Sequence, residues 1–249
     1  SFRRWKVLGT FSESLFQIFD FTFPQNNESK THLKKLKVKN IKHIGNLKFS
    51  QNYFQKNNLD LKFKNFIKSR KVWCAASTHK GEEEICTSVH TKLLEKYKNL
   101  LLILIPRHVE RVNNLQKDLS KFNHMCHIHS DKSKINKKTK IYIVDTYGEA
   151  NLFFNISKNI FIGKSLTNDG GQNPLEAARS NCNIIHGPHV SNFTEIYNFL
   201  GNLKISFEVK NKDQLYKKLE TLLKRKSGNI KIQNKINVIG VNIFKKNLI

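Results

Sequence analysis

The sequence predicts an α/β fold built on a parallel sheet. Three observations carry this. From Lys71 onward, short apolar runs alternate with amphipathic stretches of helical period, and that alternation is the pattern of a parallel sheet crossed by helices. Several of the runs, such as Leu100 to Ile105, are apolar throughout rather than alternating, as expected of strands covered on both faces. The chain has 249 residues and is 39% hydrophobic, enough to bury a core in one large or two modest domains.

Val72 to Ala76 reads as the first buried strand of this region. Glu82 to Tyr97 follows as a helix, with acidic residues in its first turn to complement the dipole. Leu100 to Ile105 is a second strand, stopped by Pro106, and Arg111 to Phe122 is a helix. Met125 to His129 and Lys140 to Val144 are short strands. Thr146 and Glu149 have the spacing of a capping box for a helix running to Ser157. Asn159 to Gly163 is a strand. Asn173, Pro174 and Glu176 read as an N-cap, a first-turn proline and the closing acid of a second capping box, opening a helix to Asn181. Asn183 to His186 is a strand. Asn192 to Leu200 and Asp213 to Lys224 are helices, the latter with Leu215, Leu219, Leu222 and Leu223 on one face.

Ahead of Lys71 the pattern differs. Residues 5 to 20 place Trp5, Leu8, Phe11, Leu15, Phe16, Ile18 and Phe19 at helical spacing among basic residues. Residues 20 to 24 and 38 to 44 are β-like, with a polar helix between them. Residues 50 to 69 are rich in Asn and Lys and suggest a connection between domains.

In a parallel sheet the ligand lies beyond the carboxyl ends of the strands. Polar clusters fall at four of these ends: Ser77-Thr78-His79, Arg107-His108, Asp145 to Glu149, and Gly170-Gly171 with Asn173 to Glu176. Their chemistry suits a nucleotide-linked donor. Arg107 can take phosphate in two hydrogen bonds. Gly170 and Gly171 would let a phosphate approach the backbone before the helix start at Asn173. Glu149 and Glu176 can accept from hydroxyls or from a base amino group, although each could equally serve only as a cap. Neither the Gly-x-Gly-x-x-Gly pattern nor a P-loop is present, which disfavours a standard dinucleotide domain or P-loop NTPase. There is no Gly-x-Ser-x-Gly, so Ser77 is a poor nucleophile candidate.

The formal net charge of +25 suits a polyanionic partner, although plentiful Lys, Asn and Ile also match the usage of an AT-rich genome. A nucleic-acid binder is disfavoured because the lysines scatter over predicted helices without an aromatic RNA-binding motif or a helix-turn-helix. The four cysteines form no Cys-x-x-Cys pair and suggest a reducing compartment. His124, Cys126, His127 and His129 crowd one strand, whose alternation would send neighbours to opposite faces, so a shared metal is not expected. No run approaches the length needed to span a bilayer.

Five ordered segments match a known pattern: Ser77-Thr78-His79-x-Gly81-Glu82-Glu83; Pro106-Arg107-His108-x-Glu110-Arg111; Asp145-Thr146-x-Gly148-Glu149; Gly170-Gly171-x-Asn173-Pro174-Leu175-Glu176; and Gly187-Pro188-His189-x-x-Asn192-Phe193. Together with Gly45-Asn46-Leu47-Lys48-Phe49 and Ser1-Phe2-Arg3-Arg4-Trp5, they resemble the 3-deoxy-D-manno-octulosonic acid (Kdo) transferases of lipopolysaccharide synthesis. The resemblance covers nearly the whole chain. It implies GT-B glycosyltransferase architecture, with two Rossmann-like domains. Residues 1–50 would end the acceptor domain, 51–70 would connect, 71–235 would form the donor domain and 236–249 a C-terminal tail.

The resemblance further implies transfer of Kdo from CMP-Kdo to an anionic lipid A precursor (lipid IVA) with release of CMP. This would occur at the cytoplasmic face of the bacterial inner membrane, with no cofactor, no metal and no nucleic acid. Pro106, Arg107, Tyr147, Gly148, Glu149, Asn173, Pro174, Leu175 and Glu176 would hold CMP, with Ser77, Thr78, His79, Gly170 and Gly171 as further donor contacts. Lys48 would stabilise transition-state charge. The family's general base is a Glu from an N-terminal portion with no counterpart here, so the chain is expected to bind donor without turning over alone. The sequence departs from the family at Gln172, where His is usual, at Tyr147, where Met is usual, and at Lys164, where Gly is usual. Another GT-B enzyme using a UDP or GDP sugar is the alternative enzymatic reading.

Overall fold

A computed structural model describes residues 2–50, 59–167 and 170–225, with Ile236 and Ile239. The chain divides into two compact units, Ser1–Asn52 with Asn234–Ile249, and Tyr53–Gln233.

The first unit contains α1 (Phe2–Val7), α2 (Gly9–Gln17) and α3 (Asn27–Lys35). Asn26 caps α3 by accepting from the Ser29 N–H at 2.8 Å. The β-like segments expected at 20–24 and 38–44 come down to one parallel bridge between Thr22 and Ile41. A 3-10 turn, Leu47–Ser50, follows.

The second unit opens with α4 (Leu61–Ile67), in the stretch the sequence suggests is a connection. Its Phe63 is buried, packed against Tyr142 at a ring distance of 4.4 Å and edge-on to Phe153. Residues 51–58 lie outside the described residues. The unit continues through β1 (Lys71–Thr78), α5 (Glu82–Lys96), β2 (Leu100–Pro106), α6 (Val112–Leu119), β3 (Cys126–Ile128), β4 (Ile141–Ile143), α7 (Ala150–Ile156) and β5 (Asn159–Ile162). It ends with α8 (Leu175–Arg179), β6 (Asn183–His186), α9 (Thr194–Asn202), β7 (Ser206–Glu208) and α10 (Lys212–Lys224).

The seven strands form one sheet in the order β3-β4-β2-β1-β5-β6-β7, and every pairing is parallel. All seven residues of β2 are buried, which explains their unbroken apolar run. Trp73, Leu93, Leu102, Leu104, Leu115, Phe161 and Leu219 join the core where α5, α6 and α10 pack on the sheet. Trp73 donates its indole N–H to His90 Nδ1 at 3.2 Å, and burial pulls the imidazole's pKa down to about 3. His90 is therefore a neutral core acceptor.

The order of the strands sets the site. After β1 the chain lays β2 beside it, places β3 at the edge, inserts β4 between them, and then returns to place β5 on the other side of β1. Such a reversal is where open α/β sheets bind ligands, and here it falls between β1 and β5.

Candidate functional site

The four strand ends singled out in the sequence belong to four adjacent strands, β4, β2, β1 and β5. The polar clusters therefore line one continuous edge.

At the β1–β5 reversal the two loops are laced by Glu82, the first residue of α5. Its carboxylate is fully buried. Oε2 accepts from the backbone N–H of His79 at 3.0 Å and of Lys164 at 2.7 Å. Oε1 accepts from Ser165 at 2.9 Å and Leu166 at 3.0 Å. Successive N–H groups of this kind make an anion cradle, and here the protein fills it with its own carboxylate. A Cβ on Gly163 would lie 2.5 Å from the Ser77 carbonyl oxygen and 2.8 Å from Glu82 Oε2, so only glycine lets the strand ends meet.

β1 carries an irregularity between Ala76 and Thr78, and Ser77 is held at φ 54°. A non-glycine residue in that region stores strain, a feature that gathers at functional sites. The Thr78 hydroxyl and His79 Nε2 are buried with no hydrogen-bond partner among the described residues. Burial lowers the His79 pKa, opposed by Glu82, while His108 lies edge-on at 5.4 Å. Lys164 has φ 56°, a left-handed backbone that glycine adopts more readily than lysine.

At β2 the Arg107 N–H donates to the Thr78 carbonyl at 3.0 Å, which fixes the backbone. Its side chain is exposed, with no hydrogen bond or ion pair among the described residues. Arg111 behaves differently, pairing with buried Glu83 at 3.4 Å. Burial raises the Glu83 pKa, partly countered by Arg111. Pro106 is buried and ends the strand.

At β4 the Tyr147 hydroxyl donates to Glu110 Oε2 at 3.3 Å, joining the β4 and β2 loops. Gly148 has φ 82°. The Thr146–Glu149 capping box is corrected by the structure. The helix starts at Ala150, Glu149 makes no side-chain cap, and the Thr146 hydroxyl donates to the Glu149 carboxylate itself. His129 Nε2 is 3.2 Å from the same oxygen, and its Nδ1 is 2.8 Å from the Tyr142 hydroxyl. Glu149 is thus anchored through Oε2, while Oε1 has no partner among the described residues. Sequence reasoning missed His129 as its anchor, because the two meet only once β3 pairs with β4.

At β5 the Asn173 side chain accepts from the Leu175 N–H at 3.1 Å, but the N-cap expected at Asn173 is corrected: α8 starts at Leu175, and Pro174 holds the cap position with no side-chain cap bond. Pro174 and Leu175 are buried and Glu176 is half-buried. The loop before them departs from expectation. Gly170 and Gly171 have φ of 106° and 67°, but the space beside them is taken by protein. A Cβ on Gly170 would lie 2.5 Å from the Asn192 amide nitrogen, and one on Gly171 would lie 3.0 Å from Val190 Cα. These glycines serve close packing against the loop after β6. Asn168 and Asp169 lie outside the described residues.

In the first unit, Lys48 donates its N–H to Asn46 Oδ1 at 3.1 Å, and Asn46 is buried. Burial lowers the Lys48 pKa. Among the described residues no His, Cys, Asp or Glu cluster could hold a metal, and no helix is long and apolar enough to cross a membrane.

A sequence profile of the family described as 3-deoxy-D-manno-octulosonic-acid transferase (kdotransferase) matches residues 1–51. A 3-deoxy-D-manno-octulosonic acid transferase of Haemophilus influenzae is 39% identical over 166 residues, covering 66% of this chain and 39% of that protein. Its counterpart in Rickettsia felis is 32% identical over 225 residues, covering 90% of this chain and 48% of that protein. The chain thus spans about half the length, or less, of these relatives. Among solved structures, the C-terminal CMP-Kdo binding domain of WaaA from Acinetobacter baumannii superposes with a TM-score of 0.62 at 24% identity, over 74% of this chain and 94% of that domain. That likeness is one of fold: an α/β, Rossmann-like unit of the GT-B type. By the profile over residues 1–51 and the curated relatives, the chain is similar to the 3-deoxy-D-manno-octulosonic acid transferases.

Proposed function

We propose that this chain is the donor-binding part of a Kdo transferase. It holds CMP-Kdo along the carboxyl edge of the sheet while Kdo passes to an anionic lipid A precursor and CMP leaves. The observation that carries this reading is that, at the ends of the neighbouring strands β2 and β4, the Arg107 guanidinium and Glu149 Oε1 have no protein partner among the described residues. Arg107 supplies donors for a phosphate. Glu149 Oε1 supplies an acceptor for a ribose hydroxyl or a base amino group. Pro106, Tyr147 and Gly148 shape that part of the pocket, and the start of α8, Asn173 to Glu176, adds further contacts. Ser77, Thr78 and His79 face the donor from β1. Gly170 and Gly171 act through packing.

The bond from the sugar's anomeric carbon to the phosphate oxygen breaks, and an acceptor hydroxyl supplies the new oxygen. Negative charge grows on the leaving phosphate. Lys48 offsets it, which is a transition-state role. In a chimera joining this chain to the N-terminal portion of the H. influenzae relative, Lys48→Ala lowers kcat by about 100-fold with little change in CMP affinity.

The domains follow the same reading, with 1–50 on the acceptor side, 51–70 connecting, 71–235 binding donor and 236–249 as a tail. The acceptor places the enzyme on the cytoplasmic face of the inner membrane. Exposed Phe11, Ile18 and Phe19 near Arg4 and Lys6 support contact with an anionic lipid surface.

Calorimetric titration of the chain with CMP and UMP tests the reading. It expects CMP to bind and UMP to bind more weakly. Absence of CMP binding, or equal binding of UMP, overturns it.

A further inference from the structure

A cleft of about 790 Å³ opens beside the sheet's β7 edge, between the loop after β6, one side of α9, and β7. Its volume is in the range of small-molecule sites. Its chemistry is at odds with the rest of the chain. The protein carries 44 Lys and Arg residues, yet none of them lines this cleft. The wall instead offers Thr194, Asn198, Asn202, Ser206 and Glu208, together with His186 at the base of the loop.

His186 is 6% exposed and its orientation is set. Nδ1 lies 2.7 Å from the Gly187 carbonyl oxygen, which can only accept, so Nδ1 carries the proton and Nε2 keeps a lone pair. The ring packs on Tyr197 at 4.2 Å, and burial lowers its pKa, so it stays neutral at pH 7. The Ser206 hydroxyl is buried with no partner among the described residues. A buried hydroxyl without a partner is costly, and a ligand can supply the missing bond. The His186 imidazole acceptor, a carboxylate, two amides and the hydroxyls of Ser191, Thr194 and Ser206, with His189 at the rim and no Lys or Arg, make a poor anion site. They match a ligand that is rich in O–H donors and uncharged.

We propose that this cleft binds a neutral saccharide. The inference does not depend on the identity of the nucleotide donor. The walls are tied to the loop that precedes α8, since the Tyr197 hydroxyl donates to the Gln172 carbonyl at 3.0 Å and the Asn192 N–H to the Gly170 carbonyl at 3.0 Å. A sugar bound here would therefore press on the loop that carries Asn173.

Saturation-transfer NMR on the whole chain tests this, with methyl glucoside, methyl galactoside, methyl mannoside and lactose as probes. Inorganic phosphate serves as the anionic competitor. Glu208 and Asn198 are exposed, so Glu208→Ala and Asn198→Ala leave the fold intact, which a thermal melt verifies. The expected result is transfer to at least one sugar from the native chain, at least tenfold weaker binding in both variants, and no displacement by phosphate. Lack of transfer to all four sugars overturns the proposal. So does binding unchanged in both variants, or displacement of the sugar by phosphate.

Discussion

Between β1 and β5, loop N–H groups that could hold an anion are taken up by Glu82. At the ends of β2 and β4, one and two strands from β1 along the same edge, Arg107 and one oxygen of Glu149 are left without protein partners among the described residues. The first region spends its polarity on holding two loops together. In the second, Glu149 is held by one oxygen only, and its other oxygen and the Arg107 guanidinium are not used by the protein among the described residues. Glycine use follows the same division. Gly163 and Gly187 admit backbone contacts that any Cβ would block, while a Cβ on Gly148, by β4, would meet nothing within 4 Å. A polar, glycine-rich strand end is therefore not by itself a ligand site. What decides is whether the chain has already satisfied its own groups.

The largest effect should come from breaking the clamp. Glu82→Ala leaves four backbone N–H groups without their acceptor, and urea denaturation should show a loss of about 4 kcal/mol, given the cost of unmet buried groups. A native-like midpoint would mean that the loops hold without it. Next, Gly187→Ala would put a Cβ 2.0 Å from the Ser165 carbonyl oxygen, a backbone atom that cannot swing away. The same assay should register about 3 kcal/mol, at the upper end for overpacking.

Acid should weaken the core beneath the clamp more gently. The folded pKa of His90, about 3, is below the ordinary 6.5, so the unfolded chain takes the proton first. The stability His90 contributes is whole above pH 6.5 and drains as pH falls toward 3. Between pH 7.5 and 5.5 the loss should be about 1.4 kcal/mol. His90→Gln should flatten that part of the pH profile, and an unchanged slope would locate the titration elsewhere.

Much of this was legible in the sequence, and the exceptions have physical causes. β6 has the predicted bounds, and β1, β2 and β5 lie where their apolar runs put them, because strands buried on both faces advertise themselves. β7 was missed. It is a three-residue edge strand, and none of its residues is buried, so it leaves no pattern. The polar strand ends were visible, but their division of labour was not. Glu82 reads as one of three acids complementing a helix dipole, and only the β1–β5 pairing brings residues 164–166 to it. Likewise, the Thr146–Glu149 spacing is right for a cap, but the side chains bond to each other.

The smallest effect on folding should come from the open region, and there the same change should be large for binding. Arg107→Ala should alter stability by no more than about 0.5 kcal/mol, as for an exposed side chain with no partner. Calorimetry with CMP on the native chain and on Arg107→Ala tests the central claim most directly. The account predicts binding by the native chain and about 10- to 150-fold weaker binding by the variant, the equivalent of 1.5–3 kcal/mol for a charged hydrogen bond. CMP binding by Arg107→Ala as tight as by the native chain would contradict it.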